Sequence, residues 1–538
     1  MNSGGNEEEN PMSVALIGSS GGGTATLGHT DPVQLLRVIG QELRKANASL
    51  DQVLFVALEG GKGMDTAQPT DSATLYSIRE SHLQIVKTGT LQQVNAVCRE
   101  LDETVLSKAV ADGRVRGLIC VSCSVDLHAA TLRAAADGRI PVTGSGGTSL
   151  SAATARFGIR LVGNAGGSVA TTTYTRAASY THALAAKTYQ PFADQTTPQW
   201  TSVANACLPA FWTVCLTKRL LTVLQPILTD DWDVFHKNGL LWMGLQSVAL
   251  PTVCCIIMAH SQAEQYGSTV LMAAGVAGVL GCSGSMLAGL LAGWLVSTWS
   301  GRALHRCIRW GVPATMTNLL VAGGVGSLVG LFVLPIAPYL QQMTAFVRSL
   351  IHWSMSGNVP GVGFLIGCLF CYGSKVGYYH LVGLPVILVE MEHGDASLWG
   401  AIDEATLVLV SAGICAGNLM WPPSETSSQQ KETLALCRRG LRINMLYGDF
   451  IEAAYPFMEK SWVINTAGYL ASGISTELMT SSSQEVLSLA YLPVPVSLWL
   501  AVDWQRLSTA YGAAFGVTMV GTILSNGLFS FKNAEKSS

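Results

Sequence analysis

Apolar runs along this chain come in two lengths, and the change from one to the other divides it. Up to about residue 190 they are short: Ser13–Gly18, Val53–Leu58, Leu83–Val86, Leu118–Ser122, Ile140–Thr143 and Arg160–Val162. Short runs bounded by glycine and polar residues read as strands, and stretches of helical period separate several of them. This alternation predicts an α/β domain over residues 12–190, a parallel sheet with helices on both faces.

From about residue 200 the runs lengthen. Ala204–Leu228, Gly239–His260, Gly267–Thr298, Val312–Leu340, Pro360–Glu390, Ala401–Trp421, Val486–Val502 and Ser508–Phe529 are all apolar, with a weaker stretch near Trp462–Ile474. Crossing the hydrocarbon layer takes about 20 residues, so residues 236–531 predict a polytopic α-helical membrane domain of about eight to ten spans. Residues 191–235 read as a linker with an amphipathic or first membrane helix, because Lys218 and Arg219 interrupt the first long run. A polar cytosolic excursion is expected at about 425–460, a disordered N-terminus at 1–11 and a short tail at 532–538.

Charge sharpens this division. Charged residues are 12% of the 538-residue chain, about half the share of a soluble protein. Residues 1–200 carry 33 of the 67 charges, whereas residues 239–430 carry only 12. The second stretch suits a chain dissolved in lipid. Small residues also recur at four-residue spacing, as at Gly289/Gly293, Gly326/Gly330, Gly363/Gly367 and Gly512/Gly516, which lets membrane helices approach closely.

The N-terminal "MNSGGNEEEN" lacks the basic and apolar regions of a signal peptide. Arg302, Arg306 and Arg309 read as one short basic connection, and Lys431, Arg438, Arg439 and Arg442 occupy another. Both are expected on the cytosolic side, with the first domain. The 13 cysteines are scattered through apolar runs and read as buried thiols. No basic run points to nucleic acid, and no cofactor is indicated. The expected partners are the lipid bilayer and a small-molecule ligand, and a homo-oligomer is compatible with both.

Within the first domain, three segments share one pattern of helix end, glycine, short strand and polar turn: "AVADGRVRGLICVSCSVD", "AAADGRIPVTGSGGTS" and "ATARFGIRLVGNAGGS". Ligands of parallel sheets bind beyond the carboxyl ends of the strands, where exposed amides and helix N-termini favour anions. The candidate ligand-binding residues are therefore Ser19, Ser20, Gly21 and Gly22; Ser122, Ser124 and Asp126; Thr143, Ser145, Gly146, Thr148 and Ser149; and Asn164, Gly166 and Ser168. The competing reading is ordinary tight turns with helix caps. "GSSGGG" does not supply a dinucleotide fingerprint, and "EGGKGMDT" lacks P-loop spacing. Cys120 and Cys123 form a C-x-x-C that reads as packing ahead of redox chemistry.

Five of the 12 charges between residues 239 and 430 fall within "EMEHGDASLWGAIDE". Glu390, Glu392, His393, Asp395, Asp403 and Glu404, with Lys375 and His380 upstream, are the candidates for transport or for ion and proton coupling. Glu390, directly after "PVILV", is expected to lie deepest, with Lys375 and His380 as its candidate partners. Lys375 and Pro385 split Pro360–Glu390 into half-length pieces, as in the discontinuous helices of transporters, and "GCSGS" breaks Gly267–Thr298 similarly. An ordinary aqueous loop explains the same composition equally well. The expected function is a permease for a small polar solute, a sugar or organic acid. The alternatives are a membrane-bound enzyme, its acids holding a divalent metal, and a receptor or scaffold.

Overall fold

In the computed structural model of the chain, the described residues are 11–20, 32–59, 67–79, 82–145, 147–164, 173–192, 200–224, 244–312, 314–356, 359–392, 396–424, 427–449, 451–481 and 486–537. The expected disordered N-terminus lies almost wholly outside them. The chain forms two compact units. The first joins Met1–Thr197 with Ala259–Ala277 and Trp294–Val329; the second holds Pro198–Met258, Gly278–Gly293 and Gly330–Ser538.

The first unit is built on a seven-stranded sheet ordered β4-β3-β2-β1-β5-β6-β7. Its strands are β1 (Met12–Ser19), β2 (Ala48–Leu58), β3 (Ser72–Arg79), β4 (His82–Thr90), β5 (Gly117–Val121), β6 (Pro141–Ser145) and β7 (Arg160–Asn164). Its helices are α1 (Pro32–Arg44), α2 (Leu91–Leu101), α3 (Ser107–Ala111), α4 (Ala129–Asp137), α5 (Gly147–Phe157) and α6 (Thr173–Ala185).

Strand side chains alternate between faces, and each face has its own core. Val14 and Leu16 of β1 meet Leu35, Ile39 and Leu43 of α1 and Ala177 and Tyr180 of α6. Ala15 and Ile17 meet Val94 and Cys98 of α2, with Leu132 and Ala135 of α4. Helices thus cover both faces. The sheet, however, is mixed where a parallel one was expected: β2–β3 and β3–β4 pair antiparallel, and β1 pairs parallel with both β2 and β5. Only two residues separate β3 from β4, too few for the crossover that a parallel pair needs.

The first unit also holds helical segments from the long apolar region. Tyr174 stacks edgewise on Tyr266 at 4.9 Å, its hydroxyl bonds His305 Nε2 at 2.9 Å, and Thr269 donates to Asn318 at 3.2 Å.

The remaining helices are α7 (Trp200–Leu224), α8 (Leu250–Ala263), α9 (Ser268–Gly281), α10 (Met286–Arg309), α11 (Ala314–Leu319), α12 (Gly326–Val333), α13 (Ala337–Ser356), α14 (Val362–Lys375), α15 (Leu384–Met391), α16 (Leu398–Asp403), α17 (Val410–Met420), α18 (Ser427–Tyr447), α19 (Tyr455–Lys460), α20 (Trp462–Thr480), α21 (Val494–Leu500) and α22 (Trp504–Ser537). Three continuous helical stretches among the described residues are long and apolar enough to cross a membrane: Met316–Val333, Leu398–Met420 and Trp504–Leu528. Three shorter apolar helices accompany them, Ser268–Gly281, Val362–Lys375 and Tyr379–Met391. Both expected breaks exist: α9 stops before Cys282, and α14 stops at Lys375 before a π-helical turn at Tyr379–Gly383. Arg302, Arg306 and Arg309 lie on the last turns of α10, not in a connection.

In the second unit Leu398–Met420 is central, with 94% of it buried. It is surrounded by α18, α20 and α22, and α14 packs on α20. That last crossing depends on missing side chains, since a Cβ at Gly367 would overlap the Ser472 carbonyl oxygen. Among the described residues, nothing lies within 4 Å of a Cβ placed at Gly512 or Gly516, so their spacing is not needed for a close helix crossing there.

Candidate functional site

Strand order creates a switch point in the first unit. From β1 the chain runs to β2 on one side and later returns to β5 on the other, so the carboxyl ends of β1 and β5 diverge into different connections. Ligands of open α/β sheets bind at such a crevice. The ends of β1, β5, β6 and β7 lie side by side, which brings Ser19, Ser122, Thr143, Ser145 and Asn164 to one edge. Much of their polarity is spent on the protein. Ser19 donates to the Ser122 carbonyl at 2.8 Å, Thr143 to the Gly163 carbonyl at 3.0 Å, and Tyr180 to Ser145 Oγ at 2.7 Å. Ser20 Oγ accepts the Leu58 amide at 3.0 Å. Ser122 holds φ 45°, a left-handed conformation that costs a non-glycine residue energy and clusters at functional sites.

Beside Ser122 lie the two cysteines. The hydrogen bond that Cys120 donates to Cys123 pulls the Cys123 thiol below its usual range, with Ser149 assisting. The same bond, and then burial, push Cys120 well above it. Thr148 is exposed at the start of α5, Ser124 Oγ accepts the Leu127 amide at 3.4 Å, and Asp126 pairs on the surface with Arg156. Gly21, Gly22, Gly146, Gly166 and Ser168 lie outside the described residues.

The second unit holds four buried acids in two groups. Glu390 and Glu392 serve helix starts. Glu390 Oε2 accepts the Trp399 amide of α16 at 3.0 Å, and Glu392 Oε1 accepts the Met286 amide of α10 at 2.6 Å. Acidic groups suit these positions because helix N-termini carry unsatisfied amides and partial positive charge. The basic partners come from α13. His352 Nε2 is 3.8 Å from Glu390 Oε1, and Arg348 donates to the Val389 carbonyl at 2.9 Å. Lys375 bonds Asn465 at 2.9 Å and His380 is exposed; neither pairs with Glu390 as expected.

Asp403 and Glu404 lie deeper than Glu390, with 2% and 0% exposure against 6%. They sit on the second turn of the buried stretch Leu398–Met420, where α16 passes into a π-helical turn at Glu404–Leu409, a geometry frequent at functional sites. Each begins a chain of hydroxyls. Tyr379 donates to Asp403 and also bonds the Tyr491 hydroxyl. Tyr511 donates to Glu404 Oε2 at 2.7 Å, and Ser497 and Ser488 continue at 2.9 Å each. Tyr491 is left-handed, at φ 60°. Each of the four acids leaves one oxygen, Glu390 Oε1, Glu392 Oε2, Asp403 Oδ1 and Glu404 Oε1, without a hydrogen-bond partner among the described residues. Exposed Asp449 lies within electrostatic range of both Asp403 and exposed His380.

Sequence reasoning missed Arg348 and His352, about 40 positions before their acids, and the tyrosines at 379, 491 and 511. It also missed the buried pair of His128 Nδ1 and Asp102 Oδ1 at 3.4 Å, whose aspartate accepts the first amides of α4. His393 and Asp395 lie outside the described residues. Among the described residues, no cluster of three or more His, Cys, Asp or Glu side chains is placed to hold a metal ion. Comparison of the chain with protein-family models, curated proteins and solved structures finds no match.

Proposed function

We propose that this chain is a polytopic membrane permease for a small polar solute, a sugar or an organic acid, coupled to protons or another cation through Asp403 and Glu404. The α/β domain, on the cytosolic side, binds a small anionic or hydroxylated ligand at the switch point of its sheet.

One observation carries the reading. Two adjacent carboxylates are buried on the second turn of an apolar 23-residue helix, each on a hydroxyl chain. Intramembrane acids are costly, and they persist where ions or protons pass. Exposed His380 and Asp449 supply a polar approach to Asp403. Glu390 and Glu392 hold helix ends in place and do not exchange the ion.

The test uses the full-length protein in proteoliposomes containing a trapped pH-sensitive dye, challenged with a panel of sugars and organic acids. The proposal expects solute-driven proton movement that Asp403→Asn and Glu404→Gln both abolish, with the variants still folded. Flux unchanged in both variants would remove these acids from the mechanism.

A further inference from the structure

A cavity of about 670 Å³ opens within the first unit between the end of α6, with the segment after it, and the last turns of α10. Arg302, Arg306 and Arg309 line one side, at the spacing that puts them on a single helix face. His182, Tyr189 and Phe192 line the other. Among the described residues, no carboxylate lines the cavity and none pairs with the three arginines. Glu42, which accepts from the hydroxyl of the lining residue Tyr189, is already paired with Lys45 at 2.8 Å.

Three like charges on one helix face repel one another, so the arrangement costs energy until an anion joins them. The guanidinium fork matches phosphate oxygens in pairs, whereas scattered surface charge needs no cavity. The floor is rigid. His305 is held by the Tyr174 hydroxyl at 2.9 Å and meets the Tyr189 and Phe192 rings edge-on at 5.7 and 5.2 Å. The volume exceeds what a bare phosphate needs and falls within the range of small-ligand sites. Trp310, 74% exposed, directly follows the arginine face, and tryptophan favours the headgroup level of a bilayer.

We propose that this cavity is a phosphate-binding site, in which Arg302, Arg306 and Arg309 clamp the phosphoryl group of either a phospholipid headgroup or a soluble organophosphate. The site is separate from Asp403 and Glu404, and it stands whether or not the chain transports a solute.

Equilibrium binding to the full-length protein in neutral detergent tests this, using dioctanoyl phosphatidic acid, inorganic pyrophosphate and uncharged dioctanoylglycerol as probes. Saturable binding of at least one phosphate probe is expected, weakened at least tenfold in the double variant R302Q/R306Q and also in Arg309→Gln. Binding of phosphatidic acid alone identifies a lipid headgroup; binding of pyrophosphate with similar or higher affinity identifies a soluble phosphate compound. Because these arginines are exposed, both variants should melt like the parent protein. Should one not, Arg306→Lys, which keeps the charge but loses the fork, should still weaken binding measurably. Equal affinity in parent and variants, or no saturable binding of either phosphate probe, overturns the proposal.

Discussion

Tyr511 donates its hydroxyl proton to Glu404 Oε2 across 2.7 Å, tying α22 to the π-helical turn at the centre of the second unit. Both groups are fully buried, so the bond cannot be replaced by solvent. Tyr511→Phe should therefore destabilise the protein by about 1–3 kcal/mol, the cost of stranding a buried acceptor. Measured with Glu404→Gln in a double-mutant cycle in detergent, the pair should show a coupling of about 0.5–3 kcal/mol. Additive effects would show that the bond contributes nothing.

The crossing of α14 on α20 gives a steric test. Gly367→Leu forces a side chain into the Ser472 backbone and should cost at least about 1–3 kcal/mol, the usual penalty of overpacking. Gly512→Leu adds the same bulk where no described residue lies within 4 Å and should leave the melting midpoint nearly unchanged. The contrast isolates packing from helix propensity, since both substitutions replace glycine within a helix.

Ser122 offers a backbone test at the edge of the α/β sheet. Glycine enters the left-handed region cheaply, while a β-branched residue there is strained. Ser122→Gly should be neutral or mildly stabilising, and Ser122→Val should lose roughly 1–3 kcal/mol. Denaturant midpoints of the full-length protein report both.

His305, beyond the apolar part of α10, gives a pH dependence. Burial, then the charges of Lys45 and His182, lower its pKa from 6.5 to about 4. A base whose folded pKa is depressed is neutral in the fold and protonated first in the unfolded chain. Its contribution is intact above pH 6.5 and is lost as the pH falls from there towards 4. The full loss is about 3 kcal/mol, at 1.36 kcal/mol per pKa unit. Tyr174, Tyr189 and Phe192 also face the ring and offer no carboxylate to offset its charge. Thermal midpoints between pH 7 and 4 should fall less steeply in His305→Gln than in the parent protein.

Much of the architecture was legible along the chain. The short apolar run "SVALIG" and the thrice-repeated strand-end pattern marked the sheet edge that the fold assembles from β1, β5, β6 and β7. Strand β3 escaped notice because "SATLYSIR" alternates apolar with polar residues and forms no apolar run. Its presence turned the expected parallel sheet into a mixed one. The long runs overstated continuity: Gly267–Thr298 and Pro360–Glu390 each contain a helix break.

The candidate site divides the same way. Low charge over residues 239–430 made every acid there conspicuous, so Glu390, Glu392, Asp403 and Glu404 stood out by rarity alone. Depth and partners did not follow from rarity. Glu390 has the more apolar approach in sequence, yet it turns to the start of α16, while Asp403 and Glu404 lie within a helix enclosed on all sides. Their hydroxyl partners Tyr379, Tyr491 and Tyr511 carry no spacing signal.

What the sequence by itself determined is local: which segments are apolar, at what period, and where charge is scarce enough to be informative. These depend on neighbours a few residues away. What only the tertiary structure decided is which distant groups come together: α13 with Glu390, Tyr511 with Glu404, three arginines around one cavity with Tyr189 and Phe192. Hydrogen bonds and charge pairs act over a few ångströms in space, and residues 40 to 120 positions apart reach that range only once the helices have packed.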